Sequence, residues 1–147
     1  MHTSNPEISF TDFHISHLNF SINPEFSASS QHAQVHTEFK IRHELQDTRL
    51  KVFLAVIFKD SPTQKIPFLL NIEGVAAFKL QQPPSTSAIQ SLVKHYCAAA
   101  IFPYLREAIA DITRRAGFPP LHIPQVDFAQ AFAQESESGS TSPNVLH

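Results

Sequence analysis

The sequence predicts an α+β fold: a four-stranded antiparallel sheet with a long C-terminal helix, broken near a proline, packed on one face, and a short last helix. Two observations lead to this class. Four segments in which apolar residues alternate with polar ones, joined by short turns, precede Pro83-Pro84. Beyond these prolines the apolar residues recur at helical spacing. Successive strands followed by successive helices are typical of an antiparallel sheet with helices on one side.

The first predicted strand runs from Ile8 to Ile22. Its apolar residues alternate with polar ones at a period of two, which indicates a strand with one buried face. Because the phase of this alternation slips twice, we expect a bulge or bend near Asp12 and another near His17. The strand should end at Asn23-Pro24-Glu25, since proline cannot continue a central strand.

The next three strands are joined by short turns. We predict strand two over 35–45, a hairpin turn at 46–48 and strand three over 50–58. Strand three is apolar on both faces, which indicates cover by a helix on one side and by another layer or subunit on the other. Strand four runs over 68–80 and contains Gly74, which suggests a bulge or a close backbone approach.

Two helical segments follow. Ser85-Thr86-Ser87 offers N-caps for a first helix that ends near Tyr96. A second helix should begin near Ala99 with Pro103 in its first turn, and Gly117 should end it. Asp127 caps a short last helix over 128–134. The chain therefore divides into a flexible N-terminus, residues 1–7, one domain, residues 8–134, and a polar, disordered tail, residues 135–147.

Composition narrows the function classes. The chain of 147 residues is 42% apolar and carries a net charge of −2, so no electrostatic footprint for nucleic acid is expected. Its longest apolar runs are too short to span a bilayer, and no basic cluster favours a membrane surface. The single cysteine, Cys97, and the absence of a signal-peptide pattern favour a cytoplasmic protein. Thirteen phenylalanines exceed what a small core needs, so some should lie in a groove or interface.

The candidate metal ligands and nucleophiles do not form a catalytic pattern. His32 and His36 are too far apart on an extended segment to converge, and His14 and His17 should lie on opposite faces of a strand. Cys97 has no orienting group beside His95, so we expect a buried, inert thiol. Glu107 and Asp111 should belong to a salt-bridged helix face rather than to an acid–base pair. We therefore predict neither an enzyme nor a bound metal or cofactor.

The last forty residues of the predicted domain carry a specific set of motifs. Phe102-Pro103-Tyr104-Leu105-Arg106-Glu107 is followed by Phe118-Pro119-Pro120-Leu121, and then by Val126-Asp127-Phe128 with Phe132 behind it. In order and spacing this set resembles the C-terminal signature of SecB, the bacterial chaperone family that holds export precursors unfolded. The resemblance covers roughly residues 8 to 134, weakly over the strands and clearly over these motifs.

The resemblance implies an ATP-independent holdase that works in protein transport as a homo-oligomer, a dimer of dimers. Its clients would be unfolded or precursor polypeptides. The residues that match the family's client-binding groove are Phe39, Ile41, Phe68, Leu70, Ile72, Tyr104, Phe118 and Leu121.

Three positions depart from the family. Its exposed sheet face carries carboxylates that dock the basic tail of the export motor SecA, whereas the matching residues here are His17, Ser21 and Asn71. This puts SecA docking in doubt and makes a SecB-like chaperone dedicated to an antitoxin of a toxin–antitoxin pair the first alternative. A small-molecule-binding domain is the second, and it predicts a closed pocket rather than an open groove.

Overall fold

One antiparallel sheet forms the centre of the molecule. The computed structural model of the chain describes residues 8–26, 37–60, 65–128, 130–132 and 145–146. Its strands are β1 (Ile8–Ile22), β2 (Thr37–Gln46), β3 (Arg49–Phe58), β4 (Phe68–Leu80) and the short β5 (Val145–Leu146). Among these residues the strand order is β1-β4-β3-β2-β5. The predicted four-stranded sheet is confirmed, and β5 is an addition that the sequence did not indicate.

Both predicted irregularities of β1 are confirmed. The register between β1 and β4 shifts between Phe10 and Asp12 and again between Ile15 and His17. Each shift leaves one extra residue with a hydroxyl group, Thr11 or Ser16. The Thr11 hydroxyl donates to the Ala77 carbonyl at 3.1 Å. The Ser16 hydroxyl lies 3.2 Å from the Glu73 carbonyl oxygen and 2.8 Å from its carboxylate. The extra residues are therefore fastened to β4.

The two faces of the sheet differ in cover. On the inner face, which packs against the helices, alternate side chains of β3 from Leu50 to Phe58 are at most 1% exposed. On the outer face Phe53 is half-buried, and the Arg42 guanidinium lies 3.7 Å from the centre of its ring. A helix thus supplies one of the two covers predicted for β3, and a neighbouring arginine side chain lies over the other face.

The helical region is continuous from Thr86 to Arg115. It consists of α1 (Thr86–Leu92), a π-helical turn (Val93–Cys97) and α2 (Ala98–Arg115). The Ser85 hydroxyl caps α1 by accepting from the Ala88 amide at 3.2 Å. The predicted break between Tyr96 and Ala99 is therefore wrong, because the chain stays helical there and only the helix type changes. Pro103 lies in the second turn of α2, not in its first as predicted.

The end of α2 is set by Gly117. Its φ of +98° is a left-handed conformation that favours glycine. The Gly117 amide donates to the Arg114 carbonyl and the Phe118 amide to the Thr113 carbonyl, which is the Schellman pattern of a helix end. The chain then reverses, and the Phe118 ring meets that of Phe68 at 5.3 Å.

The inner face and α2 approach closely at Gly74. A Cβ atom at this position would lie 2.6 Å from Phe13 Cε1 and 3.0 Å from Leu105 Cδ2. The close approach predicted for this glycine is confirmed, because no larger residue fits between the sheet and the helix without displacing a ring.

The last helix is described at Phe128 and over 130–132. Asp127 caps it as predicted, because its carboxylate accepts from the Gln130 amide at 3.2 Å. The rings of Phe128 and Phe132 stack at 5.7 Å. The predicted end of this helix at Gln134 lies outside the described residues, as do residues 1–7 and, apart from β5, the predicted tail.

Candidate functional site

The residues predicted to form a groove lie at three levels of burial. Four of them are at most 5% exposed, three are half-buried, and one is 49% exposed. The strand register makes Phe39, Val56 and Ile72 cross-strand neighbours in one row on the inner face. The buried members are Phe39, Phe68, Leu70 and Ile72, the half-buried ones are Ile41, Phe118 and Leu121, and the exposed one is Tyr104.

Aromatic rings cover two of the buried members, Phe68 and Phe39. The Phe118 ring lies on Phe68, and the Phe128 ring meets Phe39 edge-on at 5.3 Å and Phe102 at the same distance. We call residues 118–128 the cover segment. Apart from Phe128 it has no regular secondary structure. In this conformation the predicted groove is therefore filled by the chain's own side chains.

Few hydrogen bonds hold the cover segment to α2. The Phe118 amide donates to the Thr113 carbonyl and the Leu121 amide to the Thr113 hydroxyl, each at 3.0 Å. Arg106 Nε donates to the Ile123 carbonyl at 2.6 Å. Thr113 is fully buried, and its hydroxyl also bonds to the Ile109 carbonyl one turn back at 2.9 Å. Segments that are tied mainly by side-chain packing open at lower free-energy cost than strands or helices.

Tyr104 lies apart from the other predicted groove residues. Its ring stacks on Phe13 at 5.0 Å and contacts Phe10 at 5.6 Å, so it belongs to the side of α2 that faces β1. Phe118 lies instead on Phe68 at the opposite end of the sheet. The structure thus does not bring Tyr104 into the cluster that the sequence assigned to it.

The sequence did not single out a set of exposed aliphatic residues on β1. Ile15, Leu18 and Ile22 are 37%, 47% and 58% exposed, and they pair with inner-face positions of β4. We call these three residues the β1 strip. Their alternation with polar residues was visible in the sequence, but the position of β1 at the sheet edge, which leaves them open, was not.

The outer face carries the three positions that depart from the resemblance. His17 pairs with Glu73, Ser21 with Leu69 and Asn71 with Asn19, which places all three on the face opposite to the helices. The strands' outer face as described holds five basic and four acidic side chains, namely Lys40, Arg42, Arg49, Lys51 and Lys79 with Asp12, Glu38, Glu44 and Glu73. It is therefore not an acidic surface.

The groups considered for chemistry have structural surroundings. Cys97 is fully buried, and burial raises the pKa of its thiol to about 12, so the nucleophilic thiolate is not formed at neutral pH. Hydrogen bonds from Arg115 and Arg114 lower the pKa of the Asp111 carboxyl, which confirms an ion-paired helix face. In the part of the chain that the structure describes, no three potential metal ligands converge. His32 and His36 lie outside that part.

A cavity of about 1080 Å³ lies between the end of β4 and the first helical turns. Its wall is mainly apolar, and the five lining side chains that carry polar groups are all exposed, namely Gln81, Gln82, Ser91, His95 and Tyr96. A small-molecule site needs a few fixed polar groups that orient the ligand. This cavity offers none that is held in place by burial.

Comparison with solved structures identifies the fold. The SecB-like chaperone of Mycobacterium tuberculosis, solved in complex with a peptide from the HigA1 antitoxin, superposes with a TM-score of 0.71. The match covers 82% of this chain and 91% of that chain at 16% identity. The fold is therefore that of a SecB-like chaperone. No helix among the described residues is long and apolar enough to cross a membrane.

Comparison with known sequences identifies the family. The family model for SecB, the preprotein translocase subunit, matches residues 2–139. The protein-export protein SecB of Paraburkholderia phymatum is 30% identical over 128 residues, which cover 81% of each chain. That of Afipia carboxidovorans is 29% identical over 134 residues, 88% of this chain and 82% of the relative. The chain belongs to the SecB family, and its class of function is that of a protein-export chaperone.

Proposed function

We propose that the chain is a cytoplasmic, ATP-independent holdase, without enzymatic activity, that binds non-native polypeptides on the inner face of its sheet. The observation that carries this proposal is the aromatic cover over an apolar row: Phe118 lies on Phe68, and Phe128 lies on Phe39. A client would replace the cover segment on these residues. Apolar burial is worth about 25 cal/mol per Å² and is not directional, so such binding tolerates many client sequences.

The groove forms in this proposal when the cover segment moves away from the sheet. Among the described residues three hydrogen bonds join it to α2, and this small number, together with its lack of regular structure, supports such a movement. The opened floor consists of Phe39, Ile41, Phe68, Leu70 and Ile72. Phe118 and Leu121 form a movable wall. Tyr104, which contacts β1 rings instead, takes part in assembly rather than in client binding.

Assembly into a dimer of dimers is the second part of the proposal. The β1 strip leaves three aliphatic side chains exposed at one edge of the sheet, and Tyr96 and Tyr104 are 40% and 49% exposed on the adjoining helices. Exposed apolar patches of this kind mark interfaces between proteins. The β1 side of the molecule would then hold the copies together, and the opposite side would remain open to clients.

The charges of the outer face bear on which partner receives the client. His17, Ser21 and Asn71 carry no carboxylate, and the outer face has more basic than acidic groups. Neither feature favours the docking of a basic tail such as that of SecA. A dedicated client, such as the antitoxin of a toxin–antitoxin pair, is therefore the second candidate. The SecB-like chaperone of Mycobacterium tuberculosis, which shares this fold, was solved in complex with an antitoxin peptide. Co-purification with the product of a neighbouring gene would distinguish the two.

The holdase proposal is tested with a matched pair of substitutions. Ile41 and Ile57 are both half-buried isoleucines of the same hairpin, on the inner and the outer face respectively. We expect Ile41→Asp to weaken binding of a reduced, carboxymethylated polypeptide, measured by fluorescence anisotropy, and Ile57→Asp to leave it unchanged. Light scattering should give a tetramer that takes up the polypeptide. A protein that binds no unfolded chain would contradict the proposal.

A further inference from the structure

The two edges of the sheet differ in their backbone. β1 forms one edge, and its two register shifts interrupt the regular spacing of its backbone groups. β2 pairs with β3 without any shift from Thr37 to Gln46. Bulges and prolines are devices that keep an edge strand from pairing with another chain. β2 has neither, so its outward backbone groups are arranged regularly along the whole strand.

Most of the β2 edge has no strand beside it. β5 pairs with Thr37 and Glu38 only. Among the described residues, no other strand and no loop backbone bonds to the outward side of β2 from Phe39 to Gln46. At about 3.4 Å per residue this stretch accommodates an extended segment of roughly eight residues.

The short β5 shows what kind of ligand this edge accepts. Val145 pairs with Glu38 and Leu146 with Thr37, both antiparallel. The chain's own extended segment therefore already binds this edge through its backbone. A longer segment that follows the same line would continue over the eight unpaired residues.

The side chains of β2 suit a ligand of varied sequence. On the inner side they are mainly apolar, and Ile41 and Leu45 are not fully covered. On the outer side Lys40, Arg42 and Glu44 carry charges of both signs. An added strand would extend the apolar inner face with alternate residues and place the others beside mixed charges. Its affinity would come from backbone hydrogen bonds, which every sequence except proline provides.

We propose that the β2 edge from Phe39 to Gln46 binds an extended segment of a non-native client by antiparallel backbone pairing. This inference rests on the holdase function proposed above and adds the mode of binding. β5 occupies Thr37 and Glu38, the two positions of β2 that precede this stretch, and it competes only with a client segment long enough to reach them. Clients would thus be held by their backbone on β2 and by their side chains on the adjoining inner face.

Backbone pairing is tested with three synthetic octapeptides of alternating valine and threonine. The first is unmodified, the second is N-methylated at every other residue, and the third at all interior residues. The second keeps one free edge of N–H groups and should bind within about twofold of the first. The third should bind at least about tenfold more weakly, because it has lost its hydrogen-bond donors. Equal binding of all three would overturn the inference.

Amide exchange locates the contact and separates this inference from the holdase function. With reduced, carboxymethylated polypeptide bound to the full chain, alternate amides of residues 39–46 should exchange at least about tenfold more slowly. Removal of residues 145–147 frees Thr37 and Glu38, so it should tighten binding of a ten-residue valine–threonine peptide that spans 37–46 about fivefold, as expected for one net hydrogen bond. Polypeptide binding without this alternate protection would refute only the edge pairing. No polypeptide binding would refute both proposals, and protection without any ligand would assign the edge to a second copy.

Discussion

Phe128→Ala distinguishes a detachable cover from a fixed core. Phe128 is 3% exposed and packs against Phe39 and Phe102. In a rigid core, truncation of such a ring costs about 3–5 kcal/mol. If the cover segment opens by itself, Phe128→Ala cannot lower the free energy of global unfolding by more than the free energy with which the cover segment docks on the sheet. The reason is that a chain with the cover already open unfolds without any further effect of this residue.

Phe78→Ala is the matched control. Phe78 is 2% exposed and its ring contacts Phe10 at 5.1 Å, but it lies on β4 and not on the cover segment. We expect Phe78→Ala to lower the free energy of unfolding by about 3–5 kcal/mol and Phe128→Ala by no more than about 2 kcal/mol. Urea unfolding followed by far-ultraviolet circular dichroism measures both, since the chain has no tryptophan.

Client affinity gives the second readout of the same pair. Each loss of about 1.4 kcal/mol in docking of the cover increases the open population tenfold, as long as that population remains small. Phe128→Ala should therefore bind a permanently unfolded polypeptide about tenfold more tightly than the unsubstituted protein, and Phe78→Ala should bind it with unchanged affinity. Fluorescence anisotropy without denaturant measures both. Equal destabilisation by both substitutions, with unchanged affinity, would show that residues 118–128 are part of the fixed core.

Three further substitutions and one reaction test other parts of the structure. Leu18→Asp places a charge in the β1 strip and should reduce the mass measured by light scattering; an unchanged mass would locate the interface elsewhere. Gly74→Ala should cost about 1–3 kcal/mol in thermal unfolding, because its Cβ would overlap the Phe13 ring. Asn23→Ala removes a buried amide that donates to a carboxylate and a carbonyl, and should cost about 1–3 kcal/mol. Cys97 should resist iodoacetamide at pH 8 in the folded protein and react once urea unfolds it.

The sequence predicted the elements that depend on local signals. Slips in the alternation of β1 located both bulges, because each extra residue moves later side chains to the other face. Gly117 and Asp127 marked a helix end and a helix start through backbone preferences that act within a few residues. The sequence predicted a break after Tyr96, whereas the helix continues there through a π-helical turn that no helix-breaking residue marks in the sequence.

The candidate site was less predictable because it depends on contacts between distant segments. Alternation correctly placed Phe39 and Ile72 on one face, but it could not show that Phe128 packs over them. Tyr104 was assigned to the groove by its motif, whereas the direction of α2 turns it toward Phe13. β5 has only two residues, and such a short strand gives no periodic signal.

The proposals above place assembly at the β1 edge of the sheet and backbone pairing with clients at the β2 edge. Bulges disturb the backbone spacing of β1 at two points, and the β1 strip offers side-chain contacts along this edge. Side-chain contacts depend on exact shape, which suits a second copy of the same chain. Backbone pairing at β2 does not depend on side-chain identity, which suits clients of many sequences. If this division holds, Leu18→Asp should dissociate the oligomer, and the octapeptide should still bind each separate copy and protect its alternate β2 amides from exchange.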